Sequence, residues 1–139
     1  MRRPKKVMVA DDYSLARILM CKILNEEGFT ADQASNGREA FTKAVVSRPD
    51  LILLDVNMPC MDGYRTLEYL KRDPRTYQIP VMILSGLDWS YERRLALELG
   101  ACDYLPKPVR VDDLHKKVKS ALRNRRKRTI SRRGPYYGV

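Results

Sequence analysis

The chain has 139 residues, 44% of them apolar, and a formal charge of +10. That length suits one domain with a buried core, and no apolar run approaches the roughly 20 residues a membrane helix needs. Charge is uneven: ten of the 27 basic side chains lie in 116–139 and no acid follows Asp113, so the first 115 residues carry 17 of each sign and the excess belongs to the tail.

Taken in order, strand and helix patterns alternate. Residues 7–10 read as a first strand ending in Asp11-Asp12. Residues 14–27 carry Leu15, Ile18, Leu19, Ile23 and Leu24 at helical spacing, with Ser14 as N-cap and Gly28 as stop. Residues 29–34 are a strand of mixed polarity, as expected at a sheet edge. Residues 37–48 form a helix that Pro49 ends. Residues 51–55 are wholly apolar up to Asp55, the pattern of a strand covered on both faces. A helix over 63–72 follows, then a buried strand over 80–85 ending in Ser85. Next come a helix over 89–99, a strand over 101–105 that leads into Pro106-Lys107-Pro108, and a helix from 111 to about 126. Five strands alternating with five helices imply an α/β unit with a parallel sheet and helices on both faces. The expected division is 1–128 for this unit and 129–139 for a basic tail without periodicity.

Asp11, Asp12, Asp55, Ser85 and Lys107 all fall at strand C-terminal ends, which line one crevice in an open parallel sheet. Were the first and third strands neighbours, about 4.8 Å apart, their carboxylates would repel and raise each other's pKa. Mg²⁺, which takes oxygen ligands and binds beside phosphate, resolves that conflict. Asp55 then suits attack on phosphorus, giving an aspartyl phosphate. Lys107 supplies a cation and Ser85 a hydroxyl for the transferring group, with the N–H groups of Asn57 and Gly86 as further donors.

Four segments carry a resemblance: 9–12 (Val-Ala-Asp-Asp), 55–63 (Asp-Val-Asn-Met-Pro-Cys-Met-Asp-Gly), 84–86 (Leu-Ser-Gly) and 100–108 (Gly-Ala-Cys-Asp-Tyr-Leu-Pro-Lys-Pro). In this order and spacing the chain resembles the receiver domain of two-component response regulators over about 6–122. The resemblance implies a flavodoxin-like five-stranded parallel sheet in order 2-1-3-4-5, the order for which a receiver protein is itself a standard example. It implies that Asp55 accepts a phosphoryl group from a phosphohistidine on a sensor kinase or phosphotransfer protein. Asp11, Asp12, Asp55 and the carbonyl of Asn57 would hold Mg²⁺, and Lys107 would pair with the phosphate across a cis Lys107-Pro108 bond. Ser85 and Tyr104 would form the switch: Ser85 moves toward the phosphate, and the Tyr104 ring turns inward. The surface read by a downstream partner would be the fourth helix, fifth strand and fifth helix. Such a protein does no chemistry beyond its own phosphorylation and dephosphorylation, and is expected in the cytoplasm.

Two other function classes fit parts of the sequence. A Mg²⁺-dependent phosphotransferase or nuclease-like enzyme could use the same acids, although the chain offers no substrate cap or insertion. The basic tail could bind nucleic acid or an anionic surface, dock on an acidic partner, or serve as a solubilising extension or linker. Cys21, Cys60 and Cys102 fit no metal-ligand spacing and read as reduced thiols. The lone His115 has no flanking ligand partners.

Overall fold

The computed structural model describes residues 3–58, 62–86 and 90–123. The expected tail, the end of the last helix at 124–126, residues 59–61 and Trp89 lie outside these. Elements alternate as β1 (Lys6–Ala10), α1 (Ser14–Glu26), β2 (Thr30–Ala34), α2 (Gly37–Ser47), β3 (Leu51–Asp55), α3 (Gly63–Arg72), β4 (Val81–Ser85), α4 (Ser90–Glu98), β5 (Asp103–Pro106) and α5 (Val111–Arg123). The five strands are parallel in order β2-β1-β3-β4-β5. β3 and β4 are buried throughout, whereas the mixed-polarity β2 takes an edge.

Alternate strand residues feed two apolar layers, because successive side chains leave a strand on opposite faces. Met8, Ile52, Leu54 and Ile83 pack with α2 and α3 residues such as Ala40, Ala44, Leu67 and Leu70. Val7, Val9, Leu51, Leu53, Met82 and Leu84 pack under α1 and α5, against Met20, Leu24, Leu114 and Val118.

α1 departs from the sequence reading in two ways. Ser14 is its first helical residue and not its cap. The cap is Tyr13, which makes no side-chain capping bond; its N–H instead donates to Asp11 Oδ1 at 3.0 Å. Its buried residues are Met20, Cys21 and Leu24, while Leu15, Ile18 and Leu19 stand more than half exposed. Apolar residues cover a wide arc of this helix, and periodicity alone does not say which stripe of the arc meets the sheet. The stop at Gly28 is as expected, with φ +96°.

Lys71 on α3 is buried, although lysine is rarely so. Its ammonium donates to the carbonyls of Tyr77 (3.0 Å) and Ile79 (2.6 Å), tying down the connection that delivers β4. Lys71→Met keeps the stem and leaves those acceptors short of a donor. It is expected to cost about 1–3 kcal/mol, read as a lower urea midpoint at unchanged slope.

Candidate functional site

The register sets the site. Ala10 pairs with Leu54, so the next residues, Asp11 and Asp55, leave β1 and β3 side by side. Asp55 pairs with Leu84, and Ser85 with Pro106, which brings Ser85 and Lys107 to the same sheet end. The Lys107 N–H donates to the Ser85 carbonyl at 2.7 Å, and the Lys107-Pro108 peptide is cis.

Each side chain has a distinct setting. Asp11 and Asp55 are buried and Asp12 is exposed; one oxygen from each lies within 4.8 Å of the others. Lys107 Nζ sits 3.1 Å from Asp55 Oδ1 and 3.4 Å from Asp11 Oδ2. One cation thus bridges two buried acids, and a third acid closes the group on the solvent side. Burial raises the Asp55 pKa above the usual carboxylate value. The Lys107 ammonium opposes that shift, the Asp11 charge adds to it, and the Asn57 N–H, 3.4 Å from Oδ1, slightly offsets it. Asn57 itself is exposed, on the turn that leaves β3. Ser85 is fully buried at the end of β4.

An all-oxygen donor set with an excess of negative charge fits a hard divalent cation such as Mg²⁺ and not a soft metal. Among the described residues this is the acid cluster close enough to hold one.

Tyr104, the residue expected to turn inward on phosphorylation, lies on β5. Its ring is already inside, 2% exposed, in the layer with Ile83 and Ala96, and its hydroxyl is buried without a hydrogen-bond partner. The apolar layer accepts the ring with Ser85 in its present place.

Sequence reasoning missed three features. The Tyr64 hydroxyl donates to Glu92 in the first turn of α4, joining α3 to α4. Burial, and then the hydrogen bond to Glu92 and its charge, push the Tyr64 pKa well above its ordinary value and keep it a donor. His115 Nδ1 lies 2.5 Å from Glu27 Oε1, linking α5 to the end of α1. A groove of about 300 Å³ runs between α1 and the segment after β5, lined by Tyr13, Leu19, Ile23, Pro108 and Val111, with Asp11 and Lys107 at its polar end.

The chain matches the response regulator receiver domain over residues 7–119. It belongs to that family. It is 36% identical over 119 residues to the alkaline phosphatase synthesis transcriptional regulatory protein PhoP of Bacillus subtilis, covering 86% of this chain and 49% of that one. It is 35% identical over 119 residues to sporulation initiation phosphotransferase F of the same organism, covering 85% of this chain and 94% of that protein. The chain thus spans about half the length of PhoP but nearly all of the phosphotransferase. Among solved structures, a response regulator of Chloroflexus aurantiacus superposes with TM-score 0.83 at 27% identity, covering 87% of this chain and 99% of that one. A CheY-like receiver domain of Methanospirillum hungatei gives TM-score 0.82 at 26% identity, covering 90% and 98%. The receiver assignment and the flavodoxin-like sheet order expected from the four sequence segments both stand. This receiver is a two-component signalling domain, and no helix among the described residues is long and apolar enough to cross a membrane.

Proposed function

We propose that this receiver accepts a phosphoryl group on Asp55 from a phosphohistidine of a sensor kinase or phosphotransfer protein. The observation that carries the reading is the position of Lys107, between Asp55 and Asp11 beside a third acid. An Asp55 carboxylate oxygen attacks phosphorus, the P–N bond breaks, and its electron pair stays on the histidine nitrogen. Asp11, Asp12, Asp55 and the Asn57 carbonyl would hold Mg²⁺, which when bound offsets charge on the acids and on the transferring group. Lys107 is released from Asp55 as that carboxylate becomes an acyl phosphate, and its ammonium is left to meet the new phosphoryl oxygens. The Ser85 hydroxyl, at the end of β4 on the other side of β3 from Asp11, would donate to another.

The donor protein docks along the α1 groove, on our reading. Its apolar lining is continuous with Asp11 and Lys107, and Leu15, Ile18 and Leu19 extend the exposed apolar surface along the helix. An apolar groove of this kind takes the apolar face of a helix. The signal leaves by the face of α4, β5 and α5. Ser85 and Tyr104 lie beneath it, and Tyr64 and Glu92 brace α4. Phosphorylation shifts the population of that face by as much as it stabilises one arrangement over another. A domain spanning 1–128 does this work, with 129–139 as an appended basic segment.

The test is intact mass after incubation with Mg²⁺ and a small acyl phosphate. One added phosphoryl group is expected, absent when Mg²⁺ is chelated and absent in Asp55→Asn. Addition that survives in Asp55→Asn would place the acceptor elsewhere.

A further inference from the structure

Gly63 opens α3, where glycine is among the poorest helix formers and alanine the best. Its backbone does not require glycine: positive φ occurs at Gly28 and Gly100, and not here. What requires glycine is space. A Cβ at this position would lie 2.4 Å from the Asp55 carbonyl oxygen, 2.4 Å from the Val56 Cα and 3.0 Å from the Asp55 carbonyl carbon. All three are backbone atoms, so no side-chain rotation relieves the contact. The Gly63 N–H also donates to the Val56 carbonyl at 2.9 Å. The first residue of α3 therefore rests directly on the backbone that carries Asp55 and leads to Asn57.

We propose that Gly63 is a positioning residue for phosphoryl acceptance. Its bare Cα lets α3 seat against β3, and this contact holds residues 55–57 so that the Asp55 carboxylate stays beside those of Asp11 and Asp12 and the Asn57 carbonyl can join them. The proposal rests on the phospho-acceptor reading above. In Gly63→Ala the new methyl starts about 1 Å inside ordinary contact, which begins at 3.4 Å. Either α3 backs away or the 55–57 turn moves. Groups that orient a metal site or a reacting atom typically change affinity or rate by about 10–100-fold when they shift.

The experiment compares the full chain with Gly63→Ala and with Thr66→Val. Thr66 is buried one turn further along α3 and donates from its hydroxyl to the Asp62 carbonyl at 2.9 Å, so its loss weakens the same helix without adding an atom near Asp55. Three quantities are read at a temperature where each variant is folded, with sucrose added to any that is marginal. They are the amide shifts of residues 55–57 without metal, the Mg²⁺ dissociation constant, and the rate of phosphoryl uptake from acetyl phosphate at saturating Mg²⁺. Gly63→Ala is expected to move those amides, to weaken Mg²⁺ binding at least tenfold and to slow uptake at least tenfold. Thr66→Val should lose stability and keep both affinity and rate within about twofold. A Gly63→Ala protein with unmoved amides and unchanged affinity and rate overturns the proposal. So does a Thr66→Val protein that fails in the same way, since helix stability would then account for the effect. A wild-type protein that takes up neither Mg²⁺ nor phosphoryl overturns the phospho-acceptor reading, and the positioning role falls with it.

Discussion

Asp55→Asn is expected to take up no phosphoryl group and yet to be more stable than the unsubstituted chain when Mg²⁺ is withheld. Both outcomes come from the same carboxylate. Burial raises its pKa above 3.8, with the Asp11 charge adding to that and Lys107 only partly opposing it. A raised carboxyl pKa means the folded state binds its proton more tightly than the unfolded chain does. Stability of the metal-free protein is therefore fullest below the unfolded value and falls as pH rises from there through the folded value. Asparagine keeps the shape and removes the charge. Its advantage should be near zero in acid and should grow to about 0.5–2 kcal/mol at neutral pH, the range of single stabilising substitutions at strained functional sites. Mg²⁺ should reverse the order, because binding to the folded state stabilises it in proportion to ligand excess and the variant has lost one of the anionic ligands. Thermal midpoints across pH, with chelator and with Mg²⁺, check this. A variant less stable than the parent at neutral pH in chelator would show that Lys107 outweighs burial and the Asp11 charge.

The convergence of the candidate site residues was legible because they sit where strand patterns stop. Asp11, Asp55, Ser85 and Lys107 each follow an apolar run, and the alternation of strands and helices brings such ends together. What surrounds the centre was not legible, for reasons particular to each residue. Leu15, Ile18 and Leu19 share a helical spacing with the residues that are buried, so the period gave a helix but not its inward face. Lys71 reads as one more solvated lysine; only the path of the chain at Tyr77 and Ile79 supplies the carbonyls that hold it inside. Ser14 has the chemistry of a cap, but the Arg17 N–H already donates to the Tyr13 carbonyl, so helical bonding starts one residue earlier and takes Ser14 into the helix. The Gly63 contact depends on the distance between two backbones, which no one-dimensional pattern encodes. Tyr64 and Glu92 lie 28 residues apart, on helices whose separation is set by the strands beneath.

Lys107→Ala should push two properties of the site in opposite directions. Its ammonium sits 3.1 Å from Asp55 and 3.4 Å from Asp11 and occupies the charge that Mg²⁺ would neutralise. Removing it leaves two buried carboxylates facing each other beside Asp12. Mg²⁺ should then bind several-fold more tightly, because a competing cation is gone. Phosphoryl uptake should nonetheless slow by about 10²–10³-fold, the loss typical when one preorganised donor to developing charge is deleted. The metal-free variant should also be less stable at neutral pH than the parent, with the deficit shrinking in acid as Asp55 takes up its proton, since Lys107 is the principal group lowering that pKa. Mg²⁺ titration and acetyl phosphate kinetics on the same preparation separate the two effects. If both affinity and rate fell together, Lys107 would be holding the acids in place and not acting on the phosphoryl group. If the rate were unchanged at saturating Mg²⁺, the ammonium would serve only to neutralise the empty site, and the charge that stabilises the transferring group would have to come from the metal and the neighbouring N–H donors.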